Sequence, residues 1–296
     1  MNQPKPLHKG ATVGILSTAR KISIAEIEAA IELLHSWDLK VVLGITIDLE
    51  EHQFAGDDMT RVLNFQQFMD DDSIDAIWCA RGGYGTIRII DHLDFSRFIQ
   101  QPKWIIGYSD VTVLHAIGQQ LRFETAHATM PINVAENSPA SLESLRKVLF
   151  GENLNYTIPT VYSNKKGIAT GELIGGNLSM LYSMTGSNLS LDTTGKILFL
   201  EDLDEYLYHI DRMMMNLKHN KYFEGLSGLI VGGMTDMHDN TISFGKNAEE
   251  IILDVTSEYD FPICFNFPAG HVDDNRALIF GKKAQLEVAS EVSLRF

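Results

Sequence analysis

Trp104-Ile-Ile-Gly-Tyr-Ser-Asp-Val-Thr-Val-Leu-His115 is the stretch around which the chain is organised. Three apolar residues run into Gly107, and Val111, Leu114, Ile117 and Leu121 then recur at helical spacing. The pattern predicts a buried strand, a tight turn and a helix. A serine in such a turn stands at the carboxyl end of the strand, where the first amides of the helix also point. Those amides lack intrahelical partners, are partly positive and can hold an oxyanion. This is the physical logic of a nucleophile elbow, although the text reads Gly107-Tyr-Ser-Asp110 rather than Gly-x-Ser-x-Gly. Ser109 or Asp110 as a simple helix cap is the alternative that these residues leave open.

Upstream, residues 11–17, 41–45 and 73–80 are apolar runs that predict strands, while 23–37 and 60–69 carry helical spacing. Strand and helix alternating at this rhythm predict βαβ units around a parallel sheet covered on both faces. Ligands of such sheets bind at the carboxyl ends of strands, where both Arg81-Gly-Gly-Tyr-Gly85 and Gly107-Tyr-Ser-Asp110 fall. The glycines permit positive φ and bring backbone amides close to a ligand. Neither a Walker A nor a GxGxxG pattern fits, so a second oxyanion donor is a better reading than a phosphate cradle. A tight turn that needs glycine is the plain alternative.

Downstream, residues 122–130 read as a further strand with His127 near its end, and 137–150 as a helix opened by Ser138-Pro139. Residues 151–166 turn to Asn, Thr, Pro, Ser and Lys and read as a linker between a domain over 1–150 and a second over 167–296. In the second half, residues 171–179 are a strand entering a glycine-rich turn, and 196–202 an apolar strand ending on Glu201 and Asp202. Residues 205–219 form a helix whose Met213, Met214 and Met215 read as core filler. A strand over 226–234, a helix over 246–259 and a strand over 261–267 lead into Pro268-Ala-Gly-His271, and 281–294 alternate like a sheet strand.

The 296 residues allow one large or two ordinary domains. A net charge of −15 argues against nucleic acid or an anionic membrane as partner, because either needs a basic face. Cys79 and Cys264 lie far apart in apolar runs, with no zinc spacing around them. Asp236, His238 and Asp239 lack a metal-ligand spacing, so neither a metal nor a cofactor is expected. The opening MNQPKPLHKG has no apolar signal region, and no apolar run approaches the roughly 18 residues of a membrane span. The expectation is a soluble cytoplasmic protein.

A serine hydroxyl becomes a nucleophile when a base takes its proton and a third group orients that base. Among ten histidines, His271 has the most suggestive setting, a small-residue loop just after a buried strand. Glu201 sits where an apolar strand ends and is the matching carboxylate.

With these stretches side by side, the sequence resembles the LD-carboxypeptidase family of serine peptidases, the muramoyl-tetrapeptide carboxypeptidases. The motifs are Arg81-Gly-Gly-Tyr-Gly85, Gly107-Tyr-Ser-Asp110, Gly175-Gly-Asn-Leu178, Leu200-Glu-Asp202, Tyr208-His-Ile-Asp-Arg212 and Pro268-Ala-Gly-His271, in the family's order and across nearly the whole chain. The resemblance implies Ser109 as nucleophile, His271 as general base and Glu201 orienting it. It also implies an oxyanion hole from the backbone amides of Gly83 and Asp110. The implied α/β architecture is a flavodoxin-like N-terminal domain with a parallel sheet and a smaller β-rich C-terminal domain, usually as a homodimer with the site between domains. The family often has His-Gly-Pro where this chain reads His127-Ala-Thr129, so no substrate role carries over to His127.

The implied reaction is release of the terminal D-alanine from a murein tetrapeptide, through an acyl-enzyme on Ser109 and without metal. Arg81 and Arg212 are candidate partners for the substrate's carboxylates, and each is equally a candidate for a structural ion pair. Within the family, the rival is an immunity peptidase acting on peptide-nucleotide antibiotics or aminoacyl adenylates. Outside it, the rivals are a non-catalytic binding protein on the same fold and a nucleotide-binding domain using residues 81–85.

Overall fold

The computed structural model describes residues 1–296, which divide into two compact units. The first comprises Met1–Asn153 with Asp273–Ile279, the second Leu154–Val272 with Phe280–Phe296.

In the first unit strands and helices alternate as β1 (Thr12–Leu16), α1 (Glu28–Ser36), β2 (Lys40–Leu43), α2 (Asp58–Asp70), β3 (Ala76–Cys79), α3 (Thr86–Ile89), β4 (Trp104–Gly107), α4 (Thr112–Leu121), β5 (Thr125–His127) and α5 (Pro139–Leu149). Side by side the strands run β2-β1-β3-β4-β5, all parallel. That is the flavodoxin-like order, whose switch point lies between β1 and β3. Every residue of β3 and β4 is buried, as expected of central parallel strands covered on both faces. Helix starts carry the expected chemistry: Asp57 accepts from the Thr60 amide at 2.6 Å, and Ser138 accepts from the Ser141 amide at 3.1 Å just before Pro139.

The second unit contains β6 (Asn155–Pro159), β7 (Gly167–Asn177), α6 (Leu178–Met184), β8 (Ile197–Leu203), α7 (Leu207–His219), β9 (Gly228–Thr235), α8 (Ala248–Val255) and β10 (Ile263–Cys264). The last strands are β11 (Leu278–Phe280), β12 (Lys283–Val288) and β13 (Glu291–Arg295). A seven-stranded sheet runs β10-β9-β8-β7-β12-β13-β6. It is parallel from β10 to β7 and antiparallel beyond. The long β7 serves both parts, and its burial changes accordingly. Its first residues include exposed Ile168 and Thr170, whereas Leu173 to Asn177 are all buried.

Three sequence expectations meet a different structure. The interval 151–166, read as a linker, contains β6, whose Tyr156 and Ile158 point inward while their neighbours face solvent. A period of two carried by only two apolar residues is easily lost among Asn, Thr and Pro. The alternating tail is not one strand but the hairpin β12–β13. Finally, β11 pairs beside β5 as the sixth strand of the first sheet, so residues 273–279 return to the first unit. Met213 and Met214 are fully buried, in keeping with core filling.

Candidate active site

Ser109 follows β4 with only Tyr108 between and opens a short turn leading into α4. Its φ is 62°, the left-handed region that a serine adopts at a cost of order 1–3 kcal/mol. The surroundings hold it there. Gly107 has a φ of 155°, and a Cβ on it would lie 2.8 Å from Val111. The Gly107 carbonyl accepts from the Ala128 amide at 3.3 Å and from the His115 Nε2–H at 3.0 Å. The other ring nitrogen of His115 then accepts from the Thr125 hydroxyl at 2.8 Å. Burial lowers the His115 pKa to about 4, so at neutral pH this histidine is an uncharged strut.

The glycine-rich loop lies against the same turn. A Cβ on Gly82 would sit 2.9 Å from the Ser109 Cβ, 3.0 Å from its Oγ and 3.3 Å from the Asp110 amide nitrogen. Only glycine lets the loop come this close. The Asp110 carboxylate does not cap its own helix; it accepts from the Thr86 amide at 2.8 Å, the first residue of α3. Burial raises the Asp110 pKa. The Thr86 and Thr18 hydroxyls share a hydrogen bond of 2.8 Å. Arg61, 1 % exposed, donates to the Thr18 carbonyl at 2.7 Å and the Gly85 carbonyl at 3.0 Å. The residue after Ser109 and the end of the glycine loop are thereby tied together. Nothing in the sequence marks Arg61 for this, since an arginine within α2 reads as a surface residue.

Glu201 and His271 both lie in the second unit, and there the structure brings them together. The His271 Nδ1–H donates to Glu201 Oε2 at 2.6 Å, and the His271 backbone amide donates to the same oxygen at 3.2 Å. Glu201 is fully buried, while the His271 side chain keeps 15 % exposure. With Nδ1 committed to the carboxylate, the neutral ring carries its lone pair on Nε2, the tautomer a base requires. Burial disfavours the charged ring. The Glu201 charge and hydrogen bond, helped by Asp202, outweigh that and raise the His271 pKa above its ordinary 6.5.

Glycines again allow the approach. A Cβ on Gly270, whose φ is 102°, would stand 2.7 Å from Glu201 Oε2. The loop carrying His271 is seated on β9, where the Gly233 amide donates to the Ala269 carbonyl at 3.0 Å and Gly232 has no room for a side chain beneath it. The Thr235 hydroxyl holds the His271 carbonyl at 2.7 Å. Asp202 is buried beside Glu201 and accepts from Asn177 Nδ2, the Ser179 amide and the Leu203 amide, each at 2.9 Å. Burial, then the Glu201 charge, pushes its pKa up to about 7. The Gly175-Gly-Asn-Leu178 motif therefore supplies a strand end and, through Asn177, a fixed donor to Asp202.

Other candidates are occupied elsewhere. His127 is fully buried, with its ring 5.8 Å from Tyr108 and 6.0 Å from His115. Arg81 donates to the Lys21 carbonyl at 3.1 Å, and Arg212 stacks over Tyr208 at 5.1 Å. His238 pairs with Asp204 at 2.5 Å, and Asp239 accepts from Ser243, Asn240 and Phe244 within its own loop. No cluster of three metal-ligating side chains exists, and no helix is long and apolar enough to cross a membrane.

Comparison with known proteins covers the whole chain. Residues 13–128 match the LD-carboxypeptidase N-terminal domain and residues 170–286 the LD-carboxypeptidase C-terminal domain. A probable murein peptide carboxypeptidase of Bacillus subtilis is 33 % identical over 302 residues, covering 99 % of this chain and 93 % of that protein. The murein tetrapeptide carboxypeptidase of Pseudomonas aeruginosa is 28 % identical over 287 residues, covering 93 % and 92 %. A microcin C7 self-immunity protein of Escherichia coli is 25 % identical over 318 residues, covering 95 % and 92 %. Among solved structures, the muramoyltetrapeptide carboxypeptidase of Oxalobacter formigenes superposes with a TM-score of 0.87 at 23 % identity, covering 96 % of this chain and 98 % of that one. This last likeness establishes the shared fold.

Proposed function

This chain belongs to the LD-carboxypeptidase family, and on that premise we propose that it releases the terminal D-alanine of murein tetrapeptides as a serine-type peptidase. Ser109 attacks the carbonyl of the amide between the L centre of the diamino acid and D-alanine, and its proton passes to His271 Nε2. Glu201 keeps the ring in the basic tautomer and stabilises the imidazolium that forms. The amides of Gly83 and Asp110 receive the oxyanion. The tetrahedral species collapses as His271 returns the proton to the amine of departing D-alanine. Water, deprotonated by the same ring, then hydrolyses the acyl ester on Ser109.

The observation that carries this reading is the bond of 2.6 Å from His271 to a fully buried Glu201, a base already oriented and tuned. The left-handed conformation of Ser109 supports its part, since elbows store strain where a nucleophile is presented. The test is D-alanine release from a murein tetrapeptide by the wild type and by Ser109→Ala. Release that vanishes in the variant supports the assignment; equal release by both sinks Ser109 as nucleophile.

A second reading, cleavage of aminoacyl-nucleotide antibiotics, follows from the self-immunity relative, which is less similar than the murein peptidase of B. subtilis (25 % against 33 %). Hydrolysis of an aminoacyl adenylate with no D-alanine release would favour it. The proposal extends to a cytoplasmic homodimer, which cell fractionation and sedimentation of the purified protein check.

A further inference from the structure

A carboxypeptidase distinguishes a chain end from a chain interior by the free carboxylate beside the bond that it cuts. In a protein of net charge −15 that recognition calls for a local cation. The two arginines singled out by motif are engaged, Arg81 with the Lys21 carbonyl and Arg212 with the Tyr208 ring. Arg61 and Arg88 share Asp58, and Arg97 pairs with Asp72.

Arg20 differs from all of these. It follows β1, at the carboxyl end of the first sheet, and its main chain is fixed. Its carbonyl accepts from the Ser17 hydroxyl at 2.6 Å, and its backbone bridges to Phe54. The aliphatic stem lies directly on Gly83, so that a Cβ on that glycine would collide with the Arg20 side chain. Gly83 has a φ of 106°, which further restricts the position to glycine. Arg20 is exposed, and its guanidinium has no carboxylate within 4.0 Å and makes no hydrogen bond.

Its charge acts on a neighbour of the same sign. Arg81 has its pKa lowered, by burial first and then by the positive charge of Arg20. The carboxylate closest to Arg81, Glu26, stands 3.9 Å away and is already held by the Ser23 amide and hydroxyl at 2.8 Å each. Lys21 is committed to Glu50. Arg81 thus feels the Arg20 charge with only one distant, already engaged carboxylate to offset it, an arrangement that an incoming anion stabilises.

We propose that Arg20 is the specificity residue that binds the α-carboxylate of the departing D-alanine; this rests on the LD-carboxypeptidase reading above. The scale of the site fits. A side chain on Gly82 would meet Ser109, and one on Gly83, the next residue, would meet the Arg20 stem. The step between consecutive Cα atoms is about 3.8 Å. The substrate's carboxylate lies the same single residue beyond the carbonyl that Ser109 would attack. A planar guanidinium on an anchored stem can take both carboxylate oxygens at once.

The test compares wild type, Arg20→Gln and Arg20→Lys on one tetrapeptide ending in D-alanine and on its D-alaninamide counterpart, the latter read as a KM or an inhibition constant. Labelling of Ser109 by a fluorophosphonate is measured in parallel. The wild type is expected to favour the free acid by about 10- to 100-fold, the worth of a charge-assisted hydrogen bond. Arg20→Gln should erase that preference by raising KM for the acid, leaving kcat, the amide constant and Ser109 labelling within about threefold. Arg20→Lys should restore part of it. An acid preference that survives in Arg20→Gln overturns the assignment. A wild type that neither labels at Ser109 nor releases D-alanine instead defeats the parent reading, and this proposal with it.

Discussion

In the first unit, Ser109 is held by main chain: its own φ of 62°, Gly82 pressed against its hydroxyl and the Gly107 carbonyl pinned by His115. In the second, Glu201 and His271 hold each other through side chains, one carboxylate oxygen receiving both the ring and the backbone amide of the histidine. The two assemblies answer to different perturbations. A backbone-held group has no charge to lose and responds to volume, whereas a charged pair responds to pH and to isosteric replacement.

The largest effect should come from the hydroxyl itself. Ser109→Ala is expected to lower kcat for D-alanine release by about 10⁴-fold or more while leaving the melting temperature unchanged or slightly higher, because alanine removes no packing. Glu201→Gln keeps the shape of the pair and removes its charge. A loss of about 10²- to 10⁴-fold is expected, as for an orienting carboxylate. Its signature is the pH profile. The wild-type acid limb of kcat/KM should lie above 6.5, because Glu201 and Asp202 raise His271 and activity needs the neutral ring. In the variant that limb should move to lower pH; an unmoved limb would break the assignment of His271 as the titrating base.

Gly82→Ala tests the backbone-held half by volume alone. Its methyl would meet Ser109 Oγ at 3.0 Å, and displacing a nucleophile by a fraction of an ångström should reduce kcat about 10- to 100-fold. The same change should leave the pH profile in place. The smallest effect concerns Asp202, whose folded-state pKa of about 7 exceeds its ordinary 3.8. The folded protein therefore holds this proton more tightly than the unfolded chain. Its contribution to stability is complete below 3.8 and is lost as pH rises through about 7. Asp202→Asn should flatten the dependence of the melting temperature on pH across that window, by a few degrees.

How much of this was legible in the sequence depends on how local the signal was. β4, the turn at Ser109 and α4 were readable because apolar spacing and a glycine mark them within twelve residues. The parallel first sheet followed from strand–helix alternation. Glu201 and His271 could be singled out by their places after buried strands, but their pairing could not, because 70 residues separate them and only the resemblance joined them. Arg20 and Arg61 were invisible for a different reason. Each is defined by what presses on it across the fold, and an arginine after a strand or within a helix has the same local text whether or not it is needed. β6 and β11 were missed because they are short strands whose partners are remote in sequence.

The return of residues 273–279 to the first unit, directly after the His271 loop, also bears on how such a protein can be divided or inherited. Neither half is an uninterrupted stretch of coding sequence, so a gene cut near position 153 would deliver a first sheet whose β5 lacks its β11 neighbour. Unpaired amides and carbonyls on such an edge invite other chains to add to it. Expressed alone, the amino-terminal fragment should precipitate, and shuffling between relatives should succeed only when the sixth strand travels with the sheet that it completes.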